Sequence, residues 1–145
     1  MSRAMNAFLP VPGAKRPMRI FVVENHEDTR FLLCLLLEQL GHTVFSAPSL
    51  AGALEAMPAA RCDVLISDIG LPDGNGWDLM TRLGDARPPY AIAMSGFGMS
   101  SDRQRSLNVG YRHHLLKPVE PNQLERLLDE AADEVRESAR GGSVS

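Results

Sequence analysis

The sequence predicts an α/β fold built on a doubly wound five-stranded parallel sheet. Three observations lead there. Strand-like and helix-like segments alternate five times along 145 residues. Each crossover carries a helix, so the strands run parallel with right-handed connections. Three of the strand runs lack polar alternation, which calls for helices on both faces of the sheet.

The elements follow in order. Residues 1–17 read as an N-terminal tail, because Pro10, Pro12, Gly13 and Pro17 interrupt any period. Residues 19–24 are apolar on both faces and β-branched, as in a buried strand. A helix starts near Asp28 or Thr29, carries Phe31, Leu32, Leu35, Leu36 and Leu40, and stops at Gly41. Residues 43–46 form a short strand. Ser49 can cap the next helix, whose Leu50, Ala53, Leu54 and Met57 recur at helical spacing and which Pro58 closes. Residues 63–67 are the third strand, followed by a Gly/Pro-rich loop and a helix over 76–83 with Trp77 and Met80 inward. Residues 90–94 are the fourth strand. A more polar helix over 101–109 ends at Gly110, and residues 113–116 are the fifth strand. Pro121 suits the first turn of a last helix with an apolar stripe of Leu124, Leu127, Leu128, Ala131 and Val135. The domain therefore covers 18–137, and 138–145 read as a frayed C-terminal tail.

Composition narrows the function. Hydrophobic residues make up 44% and charged ones 23%, as in a globular protein. A net charge of -3 offers no basic stripe for nucleic acid. No apolar stretch approaches the roughly 18 residues of a membrane span. Cys34 and Cys62 form no ligand cluster and read as buried thiols in a reducing compartment. The expected location is the cytoplasm.

Chemistry gathers at four strand ends. The first strand stops on Glu24, the third on Asp68, the fourth on Ser95 and the fifth on Lys117. In open α/β sheets, ligands bind at the rim formed by the carboxyl ends of the strands. Acid, acid, hydroxyl and ammonium are the parts needed to hold a metal ion and a phosphoryl group. For Asp68 alone, a turn or cap role competes. For Lys117 alone, a solvated surface charge competes.

Four stretches carry a family resemblance: Val22–Asp28, Asp68–Gly76, Met94-Ser95-Gly96 and Leu116-Lys117-Pro118. Over residues 18–137 the chain resembles a response-regulator receiver domain of two-component signalling, in the chemotaxis-regulator-like superfamily. The resemblance implies the flavodoxin-like strand order 2-1-3-4-5. It implies Asp68 as phosphoacceptor, attacking a phosphohistidine to form an aspartyl phosphate. It implies magnesium held by Glu24, Asn25, Asp68 and the Gly70 carbonyl. Ser95, Gly96 and Lys117 would bind the phosphoryl group. A cis Lys117–Pro118 peptide would aim the lysine into the crevice. Ser95 and His114 would form the switch, with His114 standing where the family usually carries Tyr or Phe. That histidine adds a group titrating near neutrality.

Asn25 departs from the family's acidic pair, so magnesium binding is expected to be weakened rather than lost. Gly70 offers no side chain to orient an attacking water, and Phe97 could screen the site. Slow self-dephosphorylation is the expectation. The implied reading is a single-domain regulator, no enzyme beyond its own phosphorylation and dephosphorylation. Its partners would be a histidine kinase or histidine phosphotransfer protein and an unknown output protein, with no nucleic acid and no membrane. Whether two copies pair is left open. A pseudo-receiver that docks proteins without phosphorylation is the alternative, and Asn25 favours it. A dehalogenase-type phosphatase would need a second acid at position 70, where the chain has glycine. A flavin-binding protein would need a hydroxyl-rich loop after the first strand.

Overall fold

The computed structural model describes residues 17–96 and 100–144. Five parallel strands form the sheet: β1 (Arg19–Val23), β2 (Thr43–Ala47), β3 (Val64–Asp68), β4 (Tyr90–Ser95) and β5 (His113–Leu116). Their spatial order is β2-β1-β3-β4-β5. The helices are α1 (Glu27–Gln39), α2 (Leu50–Ala60), α3 (Gly76–Leu83), α4 (Ser100–Asn108) and α5 (Pro121–Val144). A two-residue antiparallel ladder, Gly70–Leu71 against Gly74–Asn75, folds the loop between β3 and α3.

Strand alternation divides the core. Ile20, Val22, Val64, Ile66, Ile92 and Met94 face one side, where α1 and α5 pack with Leu37, Leu124 and Leu128. Phe21, Val23, Leu65, Ala91 and Ala93 face the other, where α2 and α3 pack with Ala53, Met57, Leu79 and Met80. Trp77 is half-buried against this second layer. The register sets Asp68 beside Met94 and Ser95 beside Leu116. The carboxyl ends of β3, β4 and β5 therefore come level at one rim.

Several boundaries differ from the expectation. Helix α1 begins at Glu27 because the His26 ring accepts a hydrogen bond from the Thr29 N–H. It ends as expected at Gly41, whose φ of 101° suits a residue without a Cβ. The face it buries is Leu33 and Leu37, while Phe31, Leu32 and Leu35 stand 64%, 61% and 40% exposed. Helix α2 continues through Pro58 to Ala60. Pro58 forfeits one backbone bond, but Met57 and Ala60 are buried and the Arg19 guanidinium holds the Ala60 carbonyl from Nε at 3.0 Å and Nη2 at 2.8 Å. Helix α5 runs to Val144, past the point where a frayed tail was expected. Cys34 and Cys62 are half-buried free thiols rather than fully buried ones, and burial pushes the Cys62 thiol up to about 11.

Two tethers fix the loop that follows Asp68. Asp73 accepts the backbone N–H groups of Leu50 at 2.8 Å and Ala51 at 2.9 Å, and Ser49 accepts that of Gly52 at 3.0 Å. Three of the four amides left over at the start of α2 are thereby satisfied. The two amides hold the Asp73 carboxyl below its ordinary range. At the other end, the buried Tyr111 hydroxyl donates to the Gly76 carbonyl at 2.7 Å. Tyr111→Phe keeps the ring packing and removes that bond. It is expected to cost about 1 kcal/mol, the usual net worth of one hydrogen bond, in urea unfolding; an unchanged midpoint would show that the hydroxyl is idle.

Candidate functional site

The site is built on strand ends. Glu24 follows β1 directly, and its N–H donates to the Ala47 carbonyl of β2 at 3.1 Å. Its Oε2 accepts the His26 N–H at 2.9 Å, so the same carboxylate anchors the start of α1. Asp68 closes β3, and the Ile69 N–H reaches back to the Met94 carbonyl at 2.9 Å. Lys117 follows β5, and its N–H donates to the Ser95 carbonyl at 2.8 Å. The Lys117–Pro118 peptide is cis.

The Lys117 ammonium sits between the two carboxylates. It donates to Asp68 Oδ2 at 2.6 Å and pairs with Glu24 Oε1 at 2.7 Å. Glu24 and Asp68 are buried, with Glu24 only 1% exposed. Among the described residues Glu24 Oε1 takes no hydrogen bond, and its contact with Lys117 is one of charge. Among the described residues, the remaining Asp68 oxygen accepts only a long 3.3 Å bond from the Gly70 N–H. Burial pushes the Asp68 carboxyl above its ordinary value, Lys117 pulls it back in part, and Glu24 adds to the rise. For Lys117, burial works against the charge, but the hydrogen bond to Asp68 and the charges of Asp68 and Glu24 outweigh it and hold the ammonium above the ordinary lysine value.

Asn25 and Gly70 lie exposed at the mouth, and the Asn25 amide makes no hydrogen bond among the described residues. No group of three or more His, Cys, Asp or Glu side chains stands ready for a metal among the described residues. The oxygen donors that do converge are Glu24 and Asp68, one of them with an unbonded buried oxygen. Gly96 is exposed beside Ser95. Phe97, expected to screen the site, lies outside the described residues.

Ser95 and His114 are both buried, and Ser95 Oγ lies 2.7 Å from His114 Nε2. The imidazole is already turned inward. Burial holds it below its ordinary range, with the Arg103 charge acting in the same direction and Asp102 opposing, which favours the neutral ring. Two further residues join it that sequence reasoning missed. Ser106 Oγ lies 2.8 Å from His114 Nδ1, and Trp77 Nε1 donates to Ser106 Oγ at 3.0 Å. Their sequence separations of 8 and 29 residues gave no local signal.

The exposed side of α1 was also missed. It borders an apolar groove of about 600 Å³ beside Lys117, lined by Leu32, Leu33, Leu36, Met94, Pro118 and Val119. The signal was present: Phe31 to Leu37 are apolar throughout, more than one helix face can bury.

A model of the response regulator receiver domain matches residues 20–129. The chain belongs to that family. This receiver domain is 36% identical over 118 residues to an uncharacterised 14.6 kDa protein in the sodA1 3' region of Leptolyngbya boryana, covering 78% of the chain and 88% of that protein. It is 32% identical over 123 residues to the virulence sensor protein BvgS of Bordetella bronchiseptica, covering 79% of the chain and 10% of BvgS. To the sensory/regulatory protein RpfC of Xanthomonas campestris pv. campestris it is 31% identical over 133 residues, covering 88% of the chain and 18% of RpfC. The receiver domain thus spans only a small part of those two sensor proteins. Among solved structures, a CheY-like receiver domain protein from Methanospirillum hungatei JF-1 superposes with a TM-score of 0.79 at 26% identity, covering 85% of this chain and 99% of that one. The receiver domain is a module of two-component signalling, found in sensor histidine kinases and response regulators alike.

Proposed function

We propose that this receiver domain accepts a phosphoryl group on Asp68 from a histidine kinase or histidine phosphotransfer protein and signals through a changed protein-binding surface. One observation carries the reading: a single ammonium joins two buried carboxylates at a strand rim, and a buried serine hydroxyl stands on the adjoining strand end.

The chemistry follows from the charges. An Asp68 oxygen attacks phosphorus, the O–P bond forms, and the N–P bond to the donor imidazole breaks. The product carries roughly -1.5 to -2 charge where a carboxylate carried one. Lys117 is in place to pair with the added oxygens. Ser95 can donate a hydrogen bond to one of them. Glu24, Asp68, Asn25 and the Gly70 carbonyl are the oxygen donors that would hold magnesium, a hard cation served by such ligands. Bound there, magnesium supplies charge that offsets repulsion between carboxylate and phosphoryl oxygens. The neutral Asn25 makes that binding weaker than with two acids at the end of β1. Gly70 carries no group to steer a hydrolytic water, which favours a long-lived phosphoprotein.

The donor surface is read from α1. Phe31 and Leu32 are exposed next to the apolar groove that opens on Lys117. A donor helix laid there would cover apolar area and bring its phosphohistidine to the rim. Among the described residues no helix is long and apolar enough to cross a membrane, and we place this exchange in the cytoplasm.

The deciding experiment is labelling with a small phosphodonor and magnesium, read by intact mass. Wild type is expected to gain one phosphoryl group and Asp68→Asn none. Equal labelling of both would move the acceptor elsewhere. No labelling from small donors or kinases would leave a phosphorylation-independent docking module, the reading that Asn25 favours.

A further inference from the structure

The hydrogen bonds behind Ser95 have a direction, and one donor sets it. An indole N–H can only donate. Trp77 donates to Ser106 Oγ at 3.0 Å, so Ser106 accepts there. Among the described residues Ser106 Oγ has one other hydrogen-bond partner, His114 Nδ1 at 2.8 Å. The Ser106 hydroxyl hydrogen therefore goes to Nδ1. A neutral imidazole that accepts at Nδ1 carries its hydrogen at Nε2. That hydrogen goes to Ser95 Oγ at 2.7 Å. Ser95 then accepts from behind and keeps its own hydrogen free to point forward, toward the rim where Asp68 sits.

We propose that Ser106 and Trp77 are positioning residues that fix His114 as its Nε2–H tautomer and so orient Ser95 as a hydrogen-bond donor to the phosphoryl group. The inference rests on Asp68 being the phosphoacceptor. Burial supports it, since Ser106 is fully buried and His114 is 5% exposed, leaving no bulk water to scramble the hydroxyl hydrogens. The opposite tautomer would turn Ser95 toward the ring as a donor, with only lone pairs facing an anionic phosphoryl group. It would also leave the buried Ser106 hydrogen without an acceptor, a costly arrangement. Arg105 stacks over the Trp77 ring, 4.0 Å from its centroid, and holds the indole in place from the solvent side. The relay ties α3, α4 and β5 to the phosphoryl-facing hydroxyl without requiring the Ser95–His114 bond to break.

The test reads the tautomer directly, in the full chain at rest near neutral pH, by nitrogen-15 NMR of the His114 ring. The expected result is a hydrogen on Nε2 and a bare Nδ1. Ser106→Ala is expected to give a mixture of tautomers and about five-fold slower labelling of Asp68, the equivalent of one hydrogen bond. Trp77→Phe keeps the Ser106 hydroxyl and removes only the donor that orients it; it is expected to move the ring toward the same mixture, and it serves if Ser106→Ala does not fold. A hydrogen on Nδ1 in wild type, or a doubly protonated ring, overturns the proposal. So does an unchanged Nε2–H form in both variants. The two readings fail separately: wild type that is Nε2–H yet never labelled sinks the phosphoacceptor reading, whereas labelled wild type with Nδ1–H sinks this one.

Discussion

Lys117→Met is expected to destabilise the fold by about 3 kcal/mol at neutral pH, the low end for removing one partner of a buried ion pair. The loss comes less from the absent ammonium than from what stays behind. Glu24 and Asp68 are buried, both within 2.7 Å of the same Nζ, and methionine leaves them facing each other without a counter-charge. Lys117 is about a quarter exposed, and water reaching its place keeps the figure at the low end. The pH dependence has a fixed sign. In the variant, the Asp68 carboxyl, already raised by burial and the Glu24 charge, loses the Lys117 contact that lowers it, so its folded-state pKa stands above its unfolded value near 4. Protons then bind the folded state more tightly, so stability returns as pH falls and is lost as pH rises through that folded value. In wild type, the Lys117 pKa is raised. Its contribution is whole below the unfolded lysine value and disappears only as pH rises through the raised one. Urea unfolding of both proteins at pH 7 and at pH 4 checks this: the gap is expected to narrow at the lower pH. A gap that stays constant would mean the carboxylates do not feel the lysine.

Gly76→Ala is expected to damage both stability and phosphorylation. A Cβ at position 76 would stand 2.8 Å from the Asp68 carbonyl oxygen, and 3.1 Å from both Ile69 Cδ1 and the Tyr111 hydroxyl. Ile69 can swing aside, but a backbone carbonyl in the central strand cannot. Alanine favours a helix over glycine by roughly 0.5–1 kcal/mol, and overpacking costs about 1–3 kcal/mol. The clash wins, for a net loss of about 1 to 2 kcal/mol. The larger effect falls on rate, because the residue that must yield is Asp68, the proposed phosphoacceptor. A displacement of about 1 Å at a reacting group can cost about 100-fold, and labelling of Asp68 by a small donor is the measurement. Gly74→Ala is the control. Its added Cβ comes closer still, 2.5 Å, but to Leu50 Cδ2, the far end of a flexible side chain. If both variants label at the wild-type rate, β3 is more yielding than its packing implies.

The strand ends were legible because each carried its chemistry at the boundary between an apolar run and a loop. Asp68, Ser95 and Lys117 needed no knowledge of distant contacts to be noticed, only the rule that a parallel sheet gathers its carboxyl ends. The phase of α1 was not legible in the same way. Seven consecutive apolar residues from Phe31 to Leu37 fit any helical phase, and only packing against β1 and β2 selected Leu33 and Leu37. Pro58 misled for a different reason: local propensity argues for a stop, while burial of Ala60 and the Arg19 fork on its carbonyl arise from a strand forty residues away. The histidine was noticed, but its burial and its serine and tryptophan neighbours depend on how α3 and α4 meet β5.

The Asp73 clamp couples two segments that are separate along the chain. Because its two oxygens occupy the first amides of α2, the loop after Asp68 cannot lift away without exposing those amides to solvent. Deuterium uptake at Leu50 and Ala51 is then governed by excursions of a segment more than twenty residues downstream, and the beginning of α2 becomes a remote gauge of how tightly the acceptor loop is closed.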